Sequence, residues 1–231
     1  MPQSAQLTPE ELVEVAQKIS ELLGGKVKFA VIGGAACSLV RVASDAEYRG
    51  TSDLDLVIQP NKSYNAEVIS NWLVQKHPKI IRSVEQFGVR IPAIPIYRGK
   101  DEYLVEIEIF DVEAWPNRQQ YNIADTASNP MTTLTFSPDQ YSGSSGDWKI
   151  PVMHPVWLLR EKILSQYERE GSVKERTDIS DLQIMLQVVD PKSLVLSAHN
   201  HVTALQNLMA KRPDLINKLR RAIVCYPVFG D

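Results

Sequence analysis

Cysteine is scarce in this sequence, with Cys37 and Cys225 the only two in 231 residues. Two are too few for a disulfide framework, and they fit a reducing compartment. A basic surplus is missing as well: 25 Lys and Arg stand against 28 Asp and Glu, a formal net charge of −3. Proteins that hold nucleic acid by bulk electrostatics carry such a surplus, so no extended nucleic-acid-binding surface is expected, and a local basic patch is left open. No apolar run approaches the roughly 20 residues of a membrane-spanning helix, so no membrane association is expected. Residues Met1–Thr8 show no signal-peptide pattern, which makes cytoplasmic the expected location. What remains, 44% hydrophobic and 23% charged, is the make-up of a soluble globular chain and excludes a disordered or fibrous one.

Local patterns set the organisation. Thr8-Pro9-Glu10-Glu11 reads as a helix start with a capping box, followed by apolar residues at helical spacing until Gly24-Gly25. Val27 to Ile32 reads as a buried strand that meets a Gly33-Gly34 turn, and Ala35 to Val40 as a helix packed against it. Leu54 to Ile58 is a second strand, Asn65 to Lys76 a helix, and Phe87 to Phe110 strand-rich with a hairpin turn at Arg98-Gly99-Lys100-Asp101. Residues 116–150 look least regular, with Ser142 to Gly146 a flexible loop. Beyond them the pattern is helical. Val156, Leu159, Ile163 and Tyr167 are expected on one face, and Ile179, Leu182, Leu186 and Val189 on another. The expected division is residues 1–150 and 151–231.

Chemistry concentrates in acids. Asp53 and Asp55 flank one residue at a strand start, so period-two geometry turns both carboxylates to one side. Like charges so close repel, and a divalent cation between them relieves that repulsion. Glu106 and Glu108 alternate in the same way on a later strand and supply further oxygen donors suited to magnesium. A lone D-x-D or E-x-E is more often a solvated strand edge. The upstream context argues for more: a strand delivers Gly33-Gly34 ahead of a helix, where bare backbone N–H groups and the helix N-terminus favour phosphate.

Val31-Ile32-Gly33-Gly34-Ala35-Ala36, followed by Arg49-Gly50-Thr51-Ser52-Asp53-Leu54-Asp55-Leu56-Val57, resembles the signature of the nucleotidyltransferase (DNA polymerase β-like) superfamily. The Arg-x-Thr-x-Asp-x-Asp form is similar to the minimal enzymes, including abortive-infection toxins and enzymes that modify lincosamides and aminoglycosides. His154-Pro155-Val156-Trp157-Leu158-Leu159 up to Lys162, and Lys174 to Leu182, resemble the helical tail of the toxin-like branch and of fungal predicted nucleotidyltransferases. The resemblance spans about residues 27–190.

It implies an α+β fold, a mixed sheet flanked by helices with a C-terminal helical region, and an active site in the cleft between the two. It implies that Asp53 and Asp55 hold two magnesium ions and that Glu108 binds one of them and helps to activate an acceptor hydroxyl. Gly33 and Gly34 would position a nucleoside triphosphate, with Ser38, Arg49, Thr51, Ser52 and Lys162 as further nucleotide contacts. The acceptor is left open among a small molecule, a protein side chain and RNA.

Plainer readings stand beside these. Ser38 also reads as a packing hydroxyl, Arg49 as a solvated loop residue, and Lys162 as a stem reaching to water. Asp178 and Asp181 read as structural, capping a helix or pairing with Lys174 and Arg176. His199 and His201 read as a polar helix start, Cys37 as a packing thiol, and the four tryptophans as core or interface residues. The alternative function is a catalytically silent member that binds nucleotide or a protein partner. A dinucleotide-binding oxidoreductase fits poorly, because no G-x-G-x-x-G follows the first strand.

Overall fold

The capping box forms. Thr8 Oγ1 accepts from the Glu11 N–H at 3.3 Å and Glu11 Oε2 accepts from the Thr8 N–H at 2.8 Å, opening α1 (Pro9–Leu23) in the computed structural model. The structure describes residues 6–86, 88–113, 121–124, 130–137 and 146–230. Of the expected loop at 142–146, residues 142–145 lie outside them, as does Trp115. Two compact units divide the chain, Met1–Met153 and His154–Asp231.

In the first unit, α1 buries Leu12, Val15, Ala16, Ile19 and Leu23 and ends at Gly24. Strand β1 (Lys28–Val31) leads through Ile32 into α2 (Gly33–Ala43), so the helix begins on the glycine pair itself. Strand β2 (Asp53–Gln59) and helix α3 (Ala66–Lys76), capped by the Asn65 side chain, come next. Then follow β3 (Arg82–Gln86), β4 (Val89–Arg98), β5 (Asp101–Phe110), β6 (Met131–Phe136) and β7 (Trp148–Met153). All seven strands join one mixed sheet in the order β3-β4-β5-β2-β1-β7-β6. The β4–β5 turn pairs Arg98 with Asp101 and sets Gly99 at φ +65°, a conformation that glycine adopts without a Cβ penalty.

Three of these strands were not legible in the sequence. β3 is short and charged, and β6 and the first half of β7 fall within the stretch that reads as least regular. Buried Ile150, Val152 and Met153 put β7 in the core beside β1, to which it runs parallel.

The second unit contains α4 (Pro155–Glu168), α5 (Val173–Val188), α6 (His199–Lys211), α7 (Ile216–Ala222) and the short α8 (Tyr226–Phe229). It is not wholly helical. β8 (Leu194–Val195) pairs parallel with β9 (Ile223–Val224) in a two-stranded sheet. Two further expectations hold in part, Leu159 and Ile163 being buried on one helix and Leu182 and Leu186 on the other. On α4, Tyr167 is exposed and the buried set includes Leu158, Glu161, Lys162 and Gln166 beside Leu159 and Ile163. On α5, the buried face is Asp178, Asp181, Leu182, Met185 and Leu186. Buried polar residues occupy helix faces that an apolar pattern alone assigns to aliphatics.

Candidate active site

Strand register brings the acids together. β2 and β5 run parallel with Asp53 beside Glu106 and Asp55 beside Glu108. Neighbours in register point to the same side of a sheet, as do residues two apart on one strand. All four carboxylates therefore share a face, and each is half-buried. The intervening Leu54 and Ile107, also in register, are fully buried on the opposite face and anchor the two strands.

The glycine turn abuts this face. Ile32 donates its N–H to the Asp55 carbonyl at 2.9 Å, which fixes the end of β1 against β2. Gly33 has φ +64°, and a Cβ added there would lie 2.5 Å from Asp55 Oδ2. No side chain fits between this backbone and the carboxylate. At Gly34 an added Cβ would stand 3.0 Å from Arg49 Nη2 and 3.7 Å from Thr51 Oγ1. Helix α2 starts here with no side-chain cap from Ile32 and no acidic residue in its first turn. Its N-terminal N–H groups, with the positive end of the helix dipole, form a surface suited to an anion.

The loop before β2 orients the first acid. Thr51 is buried, and its hydroxyl donates to Asp53 Oδ1 at 2.8 Å. Arg49 donates to the Gly50 carbonyl at 3.2 Å and to the Gly34 carbonyl at 3.4 Å, so the guanidinium bridges the loop and the glycine turn. Ser52 is half-buried just ahead of β2. Ser38 is fully buried and donates its hydroxyl proton to the Arg49 carbonyl at 2.7 Å. That bond makes Ser38 a tie between α2 and the loop.

Lys162 belongs to a different constellation, inside the second unit. Its ammonium lies 2.7 Å from Asp178 Oδ1 and 2.9 Å from Asp181 Oδ2, all three residues being buried. Arg169 reaches the second Asp178 oxygen at 3.0 Å. The expected pairing of these aspartates with Lys174 and Arg176 is corrected: their partners are Lys162 and Arg169, because the i, i+3 spacing on α5 turns both acids toward α4. The α5 cap is Ser172, which accepts from the Glu175 N–H at 3.2 Å.

Magnesium is a hard cation that takes one or two protein carboxylates and completes its shell with water and phosphate oxygens. Asp53 and Asp55, side by side on one face of β2 with the Gly33 backbone against Asp55, fit that donor chemistry. Among the described residues, no three His, Cys, Asp or Glu side chains are gathered closely enough to enclose an ion by themselves. Tyr48, which the sequence does not mark, ties the loop to a distant segment by donating to the Leu7 carbonyl. Such tertiary ties leave no local pattern.

A mixed sheet carrying two acids on one strand, a register partner for each on the next, and a glycine turn that opens onto them defines a nucleotidyltransferase-like architecture. The crystal structure of an antigenic nucleotidyltransferase-like protein from Paracoccidioides brasiliensis is similar to this chain at 36% identity and a TM-score of 0.84. The match covers 98% of this chain and 100% of that one. The chain belongs to the nucleotidyltransferase superfamily. A solution structure of the antibiotic-resistance factor ANT(2'')-Ia matches 90% of this chain at 12% identity and a TM-score of 0.42, a likeness too slight to bear on the site. No protein-family model matches the chain, and no curated protein matches it.

Proposed function

We propose that this protein transfers a nucleoside monophosphate from a nucleoside triphosphate to an acceptor hydroxyl, releasing pyrophosphate. The observation that carries the reading is the β2–β5 register, which sets Asp53 and Asp55 beside Glu106 and Glu108 next to a glycine turn. In this reading Asp53 and Asp55 hold magnesium, two ions in all, with Glu108 as the third carboxylate. Bound magnesium supplies charge stabilisation to the attacking and departing oxygens of an in-line displacement.

The chain's own groups do the rest. Gly33 and Gly34 present backbone N–H groups to the triphosphate, and the α2 N-terminus favours its negative charge. Arg49 reaches the same turn and offers a cation to the phosphates. Thr51 holds the Asp53 carboxylate in one orientation. Glu108 accepts the proton of the acceptor hydroxyl as that oxygen bonds to the α-phosphorus and the bond to the β-phosphate oxygen breaks. Lys162 is already occupied by two carboxylates, so we assign its charge to the helical unit. The acceptor class stays as broad as a small molecule, a protein side chain or an RNA end.

Labelled nucleoside triphosphates incubated with the protein and a cell extract test the reading, with Asp55→Asn as the matched variant. Expected is a labelled product from the wild type and a loss on the order of a thousandfold in the variant. Equal labelling by both proteins would overturn the mechanism. Magnesium-dependent triphosphate binding without any labelled product would favour the silent, nucleotide-binding alternative.

A further inference from the structure

The loop that carries Arg49 and Thr51 has no regular structure between residues 46 and 52, yet a distant segment straps it down. Leu7, 2% exposed, donates its N–H to the Thr51 carbonyl at 2.7 Å, and its own carbonyl accepts from the Tyr48 hydroxyl at 2.9 Å. Gly50 approaches Gln6 so closely that an added Cβ would stand 3.0 Å from Gln6 Cβ and 3.0 Å from its Oε1. Hydrogen bonds thus join the strap to Tyr48 and Thr51, with Gly50 lying against Gln6 between them.

Arg98, at the end of β4, grips the strap from its other side. Its Nη2 donates to the Gln6 carbonyl at 2.6 Å, while Nε and Nη2 reach the two Glu11 oxygens at 2.8 and 2.6 Å. Glu11 in turn accepts from the Thr8 N–H, which closes the strap onto the start of α1. A guanidinium that spans both carboxylate oxygens fixes direction as well as distance. The Arg98 guanidinium also holds the Glu11 carboxyl below its ordinary range, and burial pushes the Tyr48 phenol up to about 12, so both groups keep these protonation states near neutral pH.

We infer that Arg98 is a positioning residue for the carboxylate site, acting through Gln6, Leu7 and Glu11 on the Tyr48–Thr51 loop and through Thr51 on Asp53. The path alternates hydrogen bonds with covalent links: Arg98 to the Gln6 carbonyl and Glu11, the Leu7 N–H of that same Gln6–Leu7 peptide to Thr51, and the Thr51 hydroxyl to Asp53 Oδ1. Loops of this kind open locally unless tied, and an acid at the loop's end inherits their motion. The inference rests on the nucleotidyl-transfer reading only for what the position of Asp53 is used for.

Amide hydrogen exchange of residues 48–53 in the full chain tests it, with Arg98→Ala, the conservative Arg98→Lys, and Tyr48→Phe as a milder loss of one tie. Arg212→Ala, which removes an exposed pair to Asp214, serves as the control. Arg98→Ala is expected to speed exchange at 48–53 roughly tenfold, with partial recovery in Arg98→Lys and a smaller rise in Tyr48→Phe. In transfer assays kcat is expected to fall more than KM rises. Faster exchange confined to α1, with 48–53 unchanged, would overturn the inference, as would an unchanged kcat in an active wild type. If the wild type transfers nothing, the nucleotidyl-transfer reading falls, and the exchange comparison still decides whether Arg98 holds the loop.

Discussion

Two pairs of aspartates sit in this protein, and their surroundings differ in kind. Asp178 and Asp181, three apart on a helix, are buried around the Lys162 ammonium, with Arg169 on a further oxygen. Asp53 and Asp55, two apart on a strand, are half-buried beside two glutamates, and Asp53 accepts from a neutral hydroxyl. Both spacings bring two carboxylates to one side. In the helical unit Lys162 bridges the two. Acids closed around a buried ammonium are costly to separate from it, whereas half-buried acids side by side on a strand face offer oxygen donors to a divalent cation.

Lys162→Met is the strongest way to break this contrast on the stability side. It leaves Asp178 and Asp181 without their shared partner and is expected to cost about 3–5 kcal/mol in denaturant unfolding. A stable Lys162→Met protein that has lost transfer would return Lys162 to the substrate. Asp55→Asn is the mirror image, with its large effect on transfer and a smaller expected effect on denaturant unfolding than Lys162→Met.

Gly33→Ala sharpens the site side. A methyl at φ +64° pressed against Asp55 is expected to destabilise by about 1–3 kcal/mol and to displace the carboxylate, with transfer falling further than stability explains. Thermal melts and transfer rates on the same sample separate the two. Thr51→Val should fold normally and lower kcat about tenfold by freeing Asp53. An unchanged kcat would show that the strand alone orients the acid.

The smallest effect is a pH dependence. Arg98 lowers the Glu11 pKa below 4.5, so the folded form binds this proton less readily than the unfolded chain does. The resulting stability is present above about pH 4.5 and fades as pH falls through the folded value. Arg98→Ala should flatten that acid limb in melts recorded between about pH 3 and 6. The pair is partly exposed, so added salt should shrink the difference.

Local chemistry was readable from the sequence, and pairing was not. The Thr8–Glu11 capping box, the Arg98–Asp101 turn and the alternation around Asp53 and Glu106 each need only a few neighbouring residues to specify them. The register of β2 with β5 depends on how strands some fifty residues apart settle against each other, and it answers a question the alternation leaves open: both glutamates share the aspartates' face. β7 escaped because Pro151 interrupts a short run that lies in the core only by virtue of its pairing with β1 and β6. The Lys162 pairing escaped for the opposite reason. Nearby Lys174 and Arg176 offer an adequate local partner on paper, and helix packing chose another.

The parallel pairing of β2 and β5 also bears on how occupancy can be read. Their acids have no common geometry in an unfolded chain, so a ligand that engages both strands recognises the folded state alone. Linkage then makes melting temperature a binding assay: at a hundredfold excess over Kd, such a ligand adds about 2.7 kcal/mol to stability. A thermal-shift screen of nucleoside triphosphates with and without magnesium therefore ranks base preference before any acceptor is known.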